Sequence, residues 1–150
     1  MRNPAVPTYK RLAIAWFFVP LHRLLFRLSG GRLLGRLEGV GVLILVTRGR
    51  RSGRRRSSPL LYFRFKDPNE LIVVASNYGR DHHPGWYWNL VGDPEVVVEV
   101  RGERFPARAR IVEGEERSML FERVVATNSR FAAYRAGTDR PIPVVALRRA

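Results

Sequence analysis

Hydrophobic and polar positions along this chain fall into two textures, and the change comes at Gly39. Before it, Leu12 to Leu21 is an unbroken apolar run. Beyond Pro20, Leu21, Leu24, Leu25 and Leu28 recur at helical spacing with Arg23 and Arg27 on the other side, the pattern of an amphipathic helix. After Gly39, short β-like runs alternate with turn residues. Val40 to Thr47 is nearly continuous apolar sequence, suited to a strand buried on both faces. Ser57 to Phe65 predicts a second strand, with Leu61, Phe63 and Phe65 on one face and Leu60, Tyr62 and Arg64 on the other. Asp67-Pro68-Asn69 is a turn, so this strand and Glu70 to Ser76 are expected to pair as an antiparallel hairpin.

The rest of the chain continues in the same style. Pro84 to Val91 reads as a short helix opened by proline and closed by Gly92-Asp93-Pro94. Glu95 to Val100 and Arg104 to Val112 predict a hairpin around Arg101-Gly102-Glu103. Gly114 to Ala126 is a helix with acids in its first turn, Ser129 to Arg135 is a second helical piece, and Pro143 to Leu147 is a final strand. About six strands with no βαβ alternation predict a mainly β (α+β) domain, an antiparallel barrel with peripheral helices. The organisation is one folded unit over residues 39–150 and a basic amphipathic attachment over residues 1–38.

Composition narrows the chemistry. A chain of 150 residues can build one core without staples. With no cysteine it has no disulfide, thiolate metal site or thiol nucleophile, and three histidines make a histidine-rich metal site a poor expectation. The lack of cysteine suits a reducing cytosol. A formal charge of +14 points to an acidic partner: nucleic acid, an anionic membrane or a small polyanion. Residues 1–38 carry seven of the basic residues, and Glu38 is their first acid. Their apolar run falls well short of the roughly 20 residues that span a bilayer. No small-residue cleavage site follows it, as a signal peptide would require. The amphipathic pattern fits a helix on a membrane surface and equally one packed on protein.

The densest charge lies in the turn after the first strand, Thr47 to Pro59, where six of the nine residues Arg48 to Arg56 are arginine. Gly49 and Gly53 are expected to take positive φ and bring backbone amides close to a ligand, and arginines supply forked donors for phosphate or carboxylate oxygens. The spacing is not that of a P-loop or a dinucleotide fingerprint. Nucleic-acid binding is disfavoured because no aromatic residues interleave with the arginines as a stacking platform. A second constellation runs from Ala75 to Leu90. There Ser76 and Asn77 end a strand, the chain turns through Gly79, and a helix presents Trp86 and Asn89 three residues apart on one face. A flat apolar wall with hydrogen-bonding groups suits an aromatic heterocycle, while the plainer reading makes Trp86 core and Asn89 a local cap. His82-His83 reads as an exposed pair.

Together these blocks carry a resemblance. Thr47 to Gly53, Arg56 to Tyr62 (Arg-Ser-Ser-Pro-Leu-Leu-Tyr), Val74 to Asn77 (Val-Ala-Ser-Asn), His83 to Leu90 and Thr138 to Val144 (Thr-Asp-Arg-Pro-Ile-Pro-Val) resemble the deazaflavin-dependent nitroreductases of the split β-barrel flavin/deazaflavin oxidoreductases. The resemblance covers roughly residues 40–147. It implies a split β-barrel, the deazaflavin coenzyme F-420 as cofactor (FMN being the lesser alternative) and an actinobacterial origin. It also implies hydride transfer to an electron-poor small-molecule acceptor such as a quinone, an enone or a nitroaromatic.

By position, it assigns Arg50, Arg51, Ser52 and Arg56 to the phosphate and acidic tail. Pro59, Leu60 and Leu61 would line the ring pocket, Val74, Ala75, Ser76 and Asn77 would run along the ring, and Trp86 and Asn89 would approach from the helix. Ser76 and Tyr134 are the candidate proton donors, and Asn128, Phe131 and Tyr134 take the positions that surround substrate. Two departures stand out: Asn77 replaces a lysine at the tail, and Asn128 and Phe131 stand where better-known members use tyrosines. The alternatives are a non-catalytic or an FMN-, haem- or lipid-binding member of the same fold and, less favoured, a nucleic-acid binder. The expected location is cytoplasmic, peripheral on the inner membrane face if residues 1–38 bind lipid, and the oligomeric state stays open.

Overall fold

The computed structural model describes residues 36–37 and 40–150. The expectations for residues 1–35 lie outside the described residues. A short strand β1 (Arg36–Leu37) pairs with β2 (Val40–Arg48), which runs through the arginine turn into β3 (Arg55–Tyr62). The remaining strands are β4 (Glu70–Val74), β5 (Glu95–Val100), β6 (Glu103–Val112) and β7 (Val144–Arg149). Helix α1 (Gly85–Gly92) lies between β4 and β5, and α2 (Gly114–Thr127) and α3 (Arg130–Ala136) lie between β6 and β7. All pairings are antiparallel, in the order β3-β2-β5-β6-β7-β4 with β1 on the edge of β2.

The two ends of the curled sheet meet at one point. Phe63 and Ile72 exchange both backbone N–H···O bonds at 2.9 Å, outside any continuous ladder. This corrects the expected hairpin between the second and third strands. The turn itself is as expected, with the Asn69 N–H donating to Asp67 Oδ1 at 2.8 Å. However, β4 pairs along its whole length with β7, so the barrel closes by a single bridge and is split on either side of it.

Strict alternation builds two cores from one sheet. Leu43, Leu45, Tyr62, Leu71, Val73, Val98, Val145 and Leu147 point inward and fill the barrel. Phe63, Ile72, Val74, Val144 and Ala146 point outward and are covered by Phe121 and Val124 of α2 and Phe131 of α3. Each large apolar side chain so covered contributes about 1.5–3 kcal/mol, enough to seat two helices whose own propensity is modest. Arg117 adds a polar tie, donating from Nε and Nη2 to the carbonyl of Ile142 at 3.1 and 2.6 Å. Both faces of β4 and β7 are therefore dry, which is why Leu71 to Ala75 and Val144 to Leu147 read as unbroken apolar runs. In β2, Leu43 to Val46 are likewise buried on both faces, with Ile44 and Val46 packing against Val97 on the outside. Among the described residues no helix is long and apolar enough to cross a membrane.

Candidate active site

The arginine turn is closed by its own backbone. The Gly49 N–H donates to Arg54 O at 2.7 Å, the Gly53 N–H to Gly49 O at 2.8 Å, and the Arg54 N–H to Ser52 Oγ at 3.2 Å. Gly53 has φ +67 as expected, but Gly49 does not take a positive φ. Gly49 is needed for a close approach instead: a Cβ there would sit 2.8 Å from Ser52 Oγ and 3.1 Å from Arg54 O.

Helix α1 is fastened to this turn by Asn89, which is buried. Its Oδ1 accepts from the backbone N–H of Arg50 at 3.1 Å and from Arg50 Nη1 at 3.4 Å, and its Nδ2 donates to Thr47 Oγ1 at 3.1 Å. Trp86, one turn earlier, packs in the barrel core and also walls a cleft of about 600 Å³ that opens between α1 and the turn. Core and wall are thus one role for Trp86. Around the cleft stand the expected Arg50, Arg51, Ser52, Arg56, Trp86 and Asn89. Gly49, Arg55, Ser57, Ser58 and Gly85 complete its lining and were not among the expected contacts. The two serines were legible as hydroxyl donors directly after Arg56, in register to line an anion site with the arginines.

Most acids of the domain pair with arginines away from the turn. Glu116, Glu122, Glu103 and Asp67 pair with Arg110, Arg135, Arg149 and Arg148, while Glu99 and Glu95 pair with Arg104 and Arg108. Arg110 and Glu116 reinforce each other, raising the one pKa and lowering the other through their mutual hydrogen bonds. In the turn, among the described residues, only Arg48 has a carboxylate, Asp93 at 3.4 Å. Arg50, Arg51, Arg54, Arg55 and Arg56 have none among the described residues. A cluster of like charges left unneutralised around a cleft is a site for an anion.

The second constellation forms a separate wall. β4 ends at Val74, and Ser76 is buried, yet its hydroxyl has no hydrogen-bond partner among the described residues. The next three residues, Asn77, Tyr78 and Gly79, all take left-handed backbone conformations with φ 47, 58 and 75. The Asn77 side chain donates to His82 O at 3.0 Å. The turn rests on α3 so closely that a Cβ on Gly79 would lie 2.9 Å from Tyr134 O. The Tyr78 ring stands edge-on to Tyr134 at 6.1 Å. Arg140, not singled out from the sequence, reaches into this turn from the segment before β7 and also meets His83 Nδ1 at 2.8 Å. Burial, and then the Arg140 charge, hold the His83 imidazole below its ordinary pKa.

The other expected site residues sit as follows. Leu60 and Ala75 face the barrel core, Leu61 and Val74 the helix-covered core, and Pro59 lies half-buried opposite Ile44 on β2. None of these, nor Ser76 or Asn77, lines the 600 Å³ cleft itself. Phe131 is 4% exposed and packs edge-on to Phe63 at 5.6 Å and to Tyr134 at 5.4 Å, so its ring belongs to the core. The Asn128 side chain accepts the Arg130 N–H at 3.1 Å at the start of α3.

With this geometry the comparisons with known proteins agree. The family model described as F420H(2)-dependent quinone reductase matches residues 20–149. The chain belongs to this family. A putative F420H(2)-dependent quinone reductase of Mycobacterium tuberculosis is 38% identical over 109 residues, 73% of this chain and 90% of that one. An F420H(2)-dependent quinone reductase of the same species is 35% identical over 133 residues, 86% of this chain and 88% of that one. Among solved structures, an F420-H2 dependent reductase superposes with a TM-score of 0.62 at 34% identity, covering 71% of this chain and 92% of its own. A structure described as a domain-swapped dimer gives 0.63 at 30% identity, covering 90% and 98%. The heme storage protein HutZ of Vibrio cholerae, at 16% identity and 0.54 over 89% and 90%, shares the fold.

As a member of the F420H(2)-dependent quinone reductases, the chain is an oxidoreductase that takes hydride from the reduced deazaflavin coenzyme, and the split barrel is the family's fold. The residues fit that coenzyme. Among the described residues, Arg50, Arg51, Arg55 and Arg56 line the cleft without carboxylate partners, which suits an anionic group, and the buried hydroxyl of Ser76 has no hydrogen-bond partner, which suits a polar one.

Proposed function

We propose that the cleft between the arginine turn and α1 receives the phosphate and acidic tail of reduced F-420, that the ring lies toward Ser76, and that the acceptor is a quinone. The observation that carries this reading is the unneutralised arginine cluster around the cleft. Arg50, Arg51, Ser52 and Arg56 grip the anionic end, with Arg55, Ser57 and Ser58 beside them. Trp86 walls the ring with Asn77 beside it, Leu60, Leu61, Val74 and Ala75 support that wall from the two cores with Pro59 half-buried on β3, and Asn89 fixes Arg50 from behind.

When bound, the reduced coenzyme supplies the hydride. The protein holds donor and acceptor in contact and keeps water out, which is where most of its rate advantage arises. Reducing a quinone to a hydroquinone takes one hydride and one proton. Ser76 is the hydroxyl we assign to hold or relay that proton, since none of the described residues engages it. Tyr134 is the second candidate and borders the acceptor side with Asn128, while Phe131 packs behind Tyr134 in the core.

Exchanging Arg51→Ala together with Arg56→Ala tests the anion clamp. Charge-assisted hydrogen bonds are worth about 1.5–3 kcal/mol each when shielded and less when solvated. The double variant should therefore bind coenzyme at least about tenfold more weakly at low salt. The gap should narrow as salt rises, and thermal stability should be unchanged because both side chains are exposed. Undiminished affinity at low salt would sink the assignment.

A further inference from the structure

Arg140 lies between α3 and β7, far in sequence from the residues it touches. Its Nη2 donates to Ser76 O at 2.7 Å, both Nη1 and Nη2 approach Ala75 O at 3.3 Å, and its Nε donates to Arg80 O at 2.8 Å. Its Nη1 also meets His83 Nδ1 at 2.8 Å. A guanidinium only donates, so His83 Nδ1 is the acceptor and the ring proton lies on Nε2. Four acceptors from one stretch, residues 75–83, thus converge on one planar fork. Arg140 forms no ion pair among the described residues. Its acceptors are three carbonyls and one imidazole, so it is not a surface charge paired by chance.

The stretch it holds needs holding. Asn77 and Tyr78 are not glycine, yet both are left-handed, a conformation that asparagine tolerates but that in tyrosine persists only where the surroundings impose it. Within the turn itself there are only two backbone bonds, Gly79 N–H to Ser76 O at 2.9 Å and Arg80 N–H to Asn77 O at 3.2 Å. Arg140 bridges the entry of the turn at Ala75 and Ser76 to its exit at Arg80. Without it, the strain at Tyr78 would relax and carry Ser76 with it.

We propose that Arg140 is a positioning residue for the ring end of the site: it clasps the left-handed turn so that Ser76 is presented to the coenzyme ring in one orientation, independently of the arginine turn that holds the anionic end. This rests on the functional reading above.

The test uses the full chain, with Arg140→Lys and Arg140→Gln as variants. Two ligands are titrated: the complete coenzyme, and a ring analogue that carries the ribityl chain without phosphate or glutamates. Lysine keeps the charge but cannot span entry and exit. Both Arg140 variants should lose about tenfold in affinity for both ligands, with the salt dependence of coenzyme binding unchanged. Arg51→Ala with Arg56→Ala should lose affinity for the complete coenzyme alone. Amide hydrogen exchange should rise at Gly79 and Arg80 and stay as in the wild type along β5 and β6, which separates loss of the clasp from loss of the fold. Wild-type affinity for the ring analogue in Arg140→Lys would overturn the proposal, as would exchange rising throughout the barrel. If the wild type binds neither ligand, the functional reading falls and takes this proposal with it, whatever the exchange pattern.

Discussion

Asn89 shows how much of a residue's role depends on what comes to meet it. Its spacing from Trp86 put both on one face of a short helix, and that much was legible. Its partners, Thr47 and Arg50, lie 42 and 39 positions away, and no local signal names them. The side chain that the family pattern aims at a ligand is occupied by the protein, with Oδ1 accepting twice from Arg50 and Nδ2 donating to Thr47. Asn89→Leu keeps the apolar bulk and leaves the buried Thr47 hydroxyl and the Arg50 N–H without partners. An unmade hydrogen bond at a buried group costs about 1–3 kcal/mol, so denaturant unfolding should show a loss of that size. An unchanged midpoint would show that the tie carries no stability. Ser76 was legible as a polar residue closing an apolar strand, and its isolation as a buried hydroxyl became visible only with the fold. Arg140 lay in a block that helped carry the family resemblance, but nothing in that block shows that a guanidinium crosses to residues 75–83.

At the scale of elements, local chemistry was read well and long-range pairing was not. The strand, turn and strand around the arginines follow from an apolar run broken by Gly49 and Gly53, and β2 and β3 pair in full register from Gly41–Tyr62 to Arg48–Arg55. Asp67-Pro68-Asn69 does turn the chain. What the turn could not tell is where β4 pairs: its five-residue ladder is with β7, from Glu70–Arg148 to Val74–Val144, and that register is set by non-local packing. The alternation Leu61-Phe63-Phe65 against Leu60-Tyr62 separates the two cores as the strand pattern required. The left-handed turn was half legible. Gly79 marked it, and asparagine tolerates such a conformation, but tyrosine does not favour it, and only the clasp from Arg140 and the close seat on α3 account for Tyr78.

For the molecule as a whole, the charge was plain from composition but its arrangement was not. Nearly every acid on β5, β6 and α2 meets an arginine, so unneutralised positive charge is left beside the cleft, where the proposed anion clamp needs it. We propose that residues 1–38, basic and amphipathic, bring the site to an anionic bilayer in which a lipid-soluble quinone such as menaquinone resides. Removing residues 1–37 should lower partitioning into anionic liposomes, and partitioning unchanged by the deletion would rule that role out.

Whether the arginine turn holds a reduced deazaflavin coenzyme, and whether a quinone takes its hydride, are both read out by titrating the full chain in parallel with reduced and oxidised F-420, FMN and haem, then adding a quinone to the reduced complex. Binding of the deazaflavin in preference to FMN and haem, followed by its oxidation on quinone addition, is the predicted result. Tight FMN binding with no deazaflavin binding would contradict it.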